Sequence, residues 1–556
     1  MKSRIKSLEA TINALRSIQL IQDRDPDISS QKFAVYSPQL QSFLSVPAAA
    51  STQKAIDRFF RFSDKLFNFF SPIQASAWFR SVFREGKMFD RETKADVCCL
   101  MAIATTGCQY LEHEGERHSE ERFYDLTKQY LDHLIEIRPL DAIKVCSLLG
   151  TYNISEKNTT ALAYLDIGIG LCVRFRLDGE KRQLFALTND MRLDYRTAGK
   201  TLMFISQWLS ATLGYRSGNE ALLRRKSYVE DLLSDDRHST NISESEPATL
   251  LYLFGVATDI TSVIRNELIK ISKPVAQISQ LYLIPGYATH PSIHSIVQSL
   301  QSWYDDLPEA ICLNRLGRES LSAETKWSIC HTHLFYLGTH MLLFRRIASQ
   351  LIQSSTATND HDKLSILDDE LLAEQQDRAQ LAAKSSSTII KLLHDNNAIF
   401  KRCWLVMFQA YSSGLIILYA ISQDRIKTLT PKRFIPEMEQ VELCLTILEF
   451  CASVDPIAAK FQERLSACCE SSSLYNDNYA GNITGSDLYL DERGTPFLMT
   501  NIRNMPSQDC EIATSSNINL ANSLVYHQYR QNSLRRLSFS LLELMYHSFD
   551  DLSIEK

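Results

Sequence analysis

No apolar run in this chain of 556 residues approaches the roughly 20 uninterrupted residues that a membrane span requires, so no membrane contact is expected. The first residues, MKSRIKSLEATINALRS, alternate charge with hydrophobes, which is not how a secretory leader opens. Bulk basic charge is also missing: 59 Lys and Arg stand against 65 Asp and Glu, for a net charge of −6. A broad nucleic-acid surface needs clustered cations to neutralise phosphates, so any DNA contact has to be local. No GxSxG, P-loop, HExxH or dinucleotide fingerprint occurs, and acidic pairs such as Asp305-Asp306 and Asp368-Asp369 read as helix-start or surface charge. Nothing anchors catalysis, and the chain is not expected to be an enzyme. The 13 cysteines are scattered, with Cys172, Cys403 and Cys444 on apolar helical faces. That pattern suits reduced, buried thiols in the nucleus or cytosol better than a disulfide framework.

What is present is helical periodicity. From Ala55 to about Gln350 it dominates, with Phe and Tyr supplying bulk in FFRFSDKLFNFF and ERFYDLTKQYLDHL, while strand alternation is rare. A polar break at Ser354 to Lys363 leads to a second helical block, so residues 55–467 read as one all-α domain with a loop near 354–363. Residues 1–22 carry Met1, Ile5, Leu8, Ile12 and Leu15 at coiled-coil spacing, and the seam fails at Gln19 and Gln22. Periodicity alone leaves open whether this is a short dimerisation helix or an amphipathic helix docked on the core. Residues 23–54, with Pro26, Pro38 and Pro47, read as a linker. No internal repeat appears at solenoid periods.

Beyond Cys469 the chain turns polar and rich in Asn and Ser, so 468–533 is expected to be largely disordered. The last stretch, 534–556, interleaves Leu541, Leu542, Leu544, Met545, Phe549 and Leu552 with Glu543, Asp550 and Asp551. Such an acidic, amphipathic segment suits an activation segment that folds on a coactivator, or a terminal helix packed back on the domain. Two shorter signals invite tests. Arg224-Arg225-Lys226 has the composition of a weak nuclear import patch or a solvated helix face. Arg535 to Ser538, RRLS, suits a basophilic kinase. The CHTH run from Cys330 to His333 is not a metal site on a helix, because His331 and His333 project roughly 200° apart.

A series of short patterns occurs in a particular order. The helix AYLDIGIGLCVRFRLD holds Gly168 and Gly170, which would let a neighbouring helix come close despite the cost of glycine in a helix. RTAGKTLMFISQWLSATLGYR follows, led by Arg196 and Lys200, striped by Phe204 and Trp208 and closing at Gly214. SLQSWYDDLPEAI then sets Leu300 and Trp303 on one helical face, with Leu307 and Pro308 at its stop. YLGTHMLLFR runs from Tyr336 to Arg345, and Ala382, Ala383, Ile389 and Leu392 mark a further helix. Over about residues 56–417 this series resembles the middle homology region of fungal zinc-cluster transcription factors. The chain departs from that pattern at Phe175-Arg176-Leu177, Ser206-Gln207, Gly214-Tyr215-Arg216 and Arg346.

The resemblance implies an all-helical regulatory domain in a nuclear transcription regulator that also shuttles with the cytoplasm. Its targets would be a restricted gene set, such as a metabolic or secondary-metabolite cluster. In that family the motif residues are packing positions, and a six-cysteine cluster holding two zinc ions precedes a coiled coil. Here the first cysteine is Cys98, so zinc is expected only with a cluster lying before Met1, and this chain itself carries no cofactor. MKSRIKSLEATINAL resembles the coiled coil that follows such a cluster, which favours dimerisation through Ile5, Leu8, Ile12 and Leu15. DNA would then be met through that missing cluster or through a zinc-cluster partner, as a homodimer or heterodimer. Coactivators and a small-molecule effector complete the partners the resemblance implies. The alternative from another class is a helical scaffold or effector-binding protein outside transcription.

Overall fold

The computed structural model describes residues 46–67, 69–84, 90–110, 118–175, 189–213, 260–283, 290–317, 321–357, 369–427, 434–473, 487–490, 496–499 and 534–545. The chain divides at Ala48 into an N-terminal unit, of which only 46–48 are described, and the unit Ala49–Lys556, which holds every element named below. The described elements are helices except for an antiparallel ribbon, β1 (Asp487–Leu490) with β2 (Pro496–Met499), in which Asp487 faces Met499. This ribbon lies in the stretch expected to be disordered.

The first half of the body is built from α1 (Ala49–Arg61), α2 (Pro72–Val82), α3 (Arg91–Cys108), α4 (His118–Ile137), α5 (Pro139–Ser155), α6 (Thr160–Phe175) and α7 (Asn189–Leu213). Their starts follow local chemistry. Ser71 and Gln74 form a reciprocal capping box ahead of Pro72, and Asp90 accepts the Thr93 amide at 2.7 Å. Every residue of α3 from Ala95 to Cys108 is buried, and α5 is buried from Asp141 to Gly150. Helices apolar all round sit inside. Accordingly α3 packs against α1, α2, α4 and α5, and α5 packs against α6 and α7.

The second half comprises α8 (Ile260–Leu283), α9 (His290–Asp305), α10 (Ala323–Ala357), α11 (Asp369–Asp395), α12 (Trp404–Lys427), α13 (Ile435–Ala452) and α14 (Pro456–Ser473). Helix α8 joins the halves by packing on both α7 and α10. Helix α12 is the axis of the rest and touches α10, α11, α13 and α14. Its most apolar 18-residue window has a mean hydropathy of 1.6 and is wholly buried. By length and composition it would pass for a membrane span, which a search for uninterrupted apolar runs overlooks because Gln409, Ser412 and Ser413 divide it.

Several boundaries differ from the sequence reading. Helix α1 begins at Ala49, inside the expected linker, because Ala48-Ala49-Ala50 favour a helix once Pro47 is passed. Helix α10 runs on to Ala357, into the expected loop near 354–363, and α14 continues past Cys469 to Ser473. A final helix, α15 (534–545), buries Leu534, Leu537, Leu541 and Met545 at three- and four-residue spacing. Of the two readings of the terminal segment, this part is the packed-back helix. Phe549 and Leu552, the dimerisation positions Ile5, Leu8, Ile12 and Leu15, Gly214 and the basic triplet at Arg224 all lie outside the described residues.

Candidate functional site

The motif residues gather around α7 and α10. On α6, a methyl group added to Gly168 would lie 2.8 Å from Leu202 of α7 and 3.1 Å from Cys146 of α5, so glycine there sets the helix spacing. Gly170 does not share this role: it is exposed, and a methyl group there would meet nothing within 4 Å. Arg196 is half-buried near the start of α7, while Phe204 and Trp208 are buried in its middle. Ser206 and Gln207, where the related pattern has a charged pair, are also buried.

From α9, Leu300 is buried and Trp303 donates its indole N–H to the Glu267 carbonyl of α8 at 3.0 Å. The same ring stacks on Tyr336 of α10, with centroids 4.7 Å apart. Leu307 joins an apolar cluster with Ile264, Ile311 and Ile329, and Pro308 opens the short 3₁₀ turn that follows. Arg345 is buried and donates to the Thr212 carbonyl, 3.0 Å away in the last turn of α7. Trp404 of α12 donates to the Thr212 hydroxyl at 3.1 Å. The C-terminal end of α7 is therefore tied to two other helices.

Beside this junction lies a cavity of about 900 Å³. Helix α7 lends it Phe204, Ile205, Trp208 and Leu209, and α10 lends Trp327, Ser328, His331 and Phe335. Phe62 and Ser63 after α1, Tyr110 after α3 and the segment Asn397 to Cys403 between α11 and α12 close the other sides. The aromatic walls have two geometries. Phe62 lies nearly parallel to Tyr110 (5.2 Å, 14°) and to Trp327 (6.1 Å, 10°). Phe335 meets Phe204 and Trp208 edge to face at 5.1 and 4.9 Å. A pocket of this volume, mostly apolar with a few polar groups, has the form of a small-molecule site.

No protein-family model matches the chain, and no curated protein matches it.

The charges at the cavity are unevenly paired. Glu324 is held below the ordinary glutamate range by its own backbone N–H and by Arg61, whose Nε lies 2.7 Å away. Arg402 pairs with Glu156. Lys401 meets the Ser453 hydroxyl at 2.9 Å and lies over the Phe450 ring, and no carboxylate pairs with it among the described residues. Arg58 is half-buried on α1 and, among the described residues, makes neither an ion pair nor a side-chain hydrogen bond. His331 donates through Nδ1 to the Trp327 carbonyl at 2.7 Å, since a carbonyl can only accept. Burial lowers its pKa, so the ring is neutral and Nε2 is left as an acceptor. His333 points elsewhere, to the Ile311 carbonyl at 3.0 Å. Among the described residues no group of His, Cys, Asp and Glu has the form of a metal site, and the cysteines are free thiols.

The segment Asn397 to Cys403 is fixed from behind. Lys157, in the left-handed backbone region at φ 54°, has a buried side chain; it donates to the Arg402 carbonyl at 3.2 Å and pairs with Asp455 at 2.6 Å. Among the described residues Asn397, at φ 51°, is the other non-glycine residue in this region, and it lines the cavity. Sequence reading missed this segment, Arg58 and Gly338. A methyl group on Gly338 would lie 2.6 Å from the Trp208 ring. The Gly in YLGTHMLLFR was the available signal, since glycine inside a long apolar helix marks a close approach.

Proposed function

We propose that the chain is the helical regulatory part of a transcription regulator of the fungal zinc-cluster class, and that the aromatic cavity is its effector site. The observation that carries this reading is the convergence of the ordered motifs: Gly168, Phe204, Trp208, Trp303, Tyr336 and Arg345 lie on or pack against α7, α8 and α10, and Phe204 and Trp208 line that cavity. An effector bound there would touch α7, α10 and the segment leading into α12 together, so it can shift the balance between two packings of the body. DNA is reached through a zinc cluster outside this sequence or through a partner that carries one, with residues 1–22 as the dimerisation helix. The regulated genes form a restricted set.

The test is the position of the tagged chain in the cell and the transcripts that change on its deletion. Nuclear residence with a narrow transcript response is expected. Exclusion from nuclei under all growth conditions with no transcript change would overturn the regulator reading and leave an effector-binding helical protein outside transcription.

A further inference from the structure

Resting on the reading of the cavity as an effector site, the walls allow the ligand's chemical class to be named. The rings of Phe62, Tyr110 and Trp327 are within 14° of parallel along the Phe62 contacts and all line the cavity, so this aromatic wall has one common orientation. Flat faces are best covered by a flat aromatic body, because offset stacking adds to the area removed from water. Phe400 closes the end of this wall next to Tyr110, with centroids 4.8 Å apart and its ring tilted by 58°.

Charge supplies the second constraint. Glu324 already has Arg61, and His331 is neutral with its Nδ1 proton committed to a backbone carbonyl. Among the described lining residues no carboxylate is left to receive a cation, whereas Arg58 and Lys401 are cations with no carboxylate of their own. Of the two, Lys401 already donates to Ser453 and caps the Phe450 ring, which leaves Arg58, one turn ahead of Phe62, as the uncommitted donor. A planar guanidinium matches a carboxylate or sulfonate through paired N–H donors.

We propose that the cavity binds a flat, multi-ring aromatic molecule bearing one anionic group, its rings against Phe62 and Trp327 and its anion on Arg58. Neutral or cationic aromatics of the same shape are poorer ligands, because the guanidinium then stays unpaired in a half-buried site.

Two fluorescent probes with the same ring skeleton test this on the full chain: anilinonaphthalene sulfonate, which is anionic, and phenylnaphthylamine, which lacks the sulfonate. Both should bind with one-to-one stoichiometry. Arg58→Gln should weaken the sulfonate by about tenfold and change the neutral probe by less than about twofold. Trp327→Ala should weaken both probes, and Phe400→Leu serves the same purpose should Trp327→Ala fail to fold. If Arg58→Gln leaves the sulfonate's affinity unchanged, or weakens both probes equally, the assignment of an anionic ligand is overturned and the cavity reading stands. If neither probe binds the wild-type chain, the cavity reading falls with it.

Discussion

Gly338 and Gly170 lie in two of the motifs, yet only one of them is crowded. Gly338→Ala drives a methyl group towards the Trp208 ring, where a rigid indole cannot give way. It should destabilise the protein by about 1–3 kcal/mol in urea unfolding. Gly170→Ala meets open space in the interior of α6 and should stabilise by about 0.5–1 kcal/mol, since alanine favours the helix. Equal effects from the two would show that the helices are not held at these spacings. Asp64 offers a test by pH. Burial pushes its carboxyl up from 3.8 to about 6, against the attraction of Arg265, and its Oδ1 is buried with no hydrogen bond. The folded state thus holds a proton that the unfolded state releases. The stability this contributes is complete below about pH 4 and is lost as pH rises through about 6. Asp64→Asn should remove that component, so the stability difference between variant and wild type should shift in the variant's favour between those pH values, by at most about 3 kcal/mol. A constant difference would show that Asp64 titrates normally.

At the level of helices, the C-terminal ends of α7 and α8 are held by adjacent arginines of α10. Arg345 donates to Thr212, and Arg346 donates through Nε to Leu281 at 2.9 Å. Cationic donors on the last carbonyls satisfy groups with no intrahelical partner and oppose the negative end of the helix dipole. Arg346→Met should cost about 1.5–3 kcal/mol and speed hydrogen exchange in the last turn of α8 while leaving α3 unchanged. Sequence reading placed Arg346 only as a departure from a familiar pattern, because its partner is 65 residues away and that of Arg345 is 133. The helices were legible because periodicity is local, and so was the shared face of Leu300 and Trp303. The cavity was not, since each element contributes only a few residues and no single stretch carries its signature. Helix α15 gives a second case. RRLS suits a basophilic kinase, but Ser538 is buried, with its hydroxyl 2.5 Å from that of Ser422 on α12. Leu541→Asp should undock α15, make 534–545 a preferred site of limited proteolysis and let a basophilic kinase modify Ser538 faster than in the wild type. Equal modification rates in the two forms would show that docking does not protect it.

For the whole molecule, the two halves meet through α8 and through direct contacts of α7 with α10 and α12, and the segment at the cavity is braced by a buried ion pair at its back. Lys157→Met strips Asp455 of its buried partner and should cost about 3–5 kcal/mol in unfolding experiments, far more than loss of an exposed pair such as Lys391 with Asp395. Association is a separate property. If residues 1–22 pair as a coiled coil, Leu8→Pro should abolish self-association in sedimentation without changing the melting of the helical body, and unchanged association would remove that role. One consequence of α12 concerns biosynthesis. By length and composition this helix could enter a bilayer, and although α10 and α11 precede it, its other covers, α13, α14 and α15, are all translated after it. While those covers are still being made, the nascent chain displays a segment that membrane-targeting factors and chaperones recognise by hydrophobicity alone. The order of synthesis therefore leaves part of α12 uncovered until its last three partners have been made.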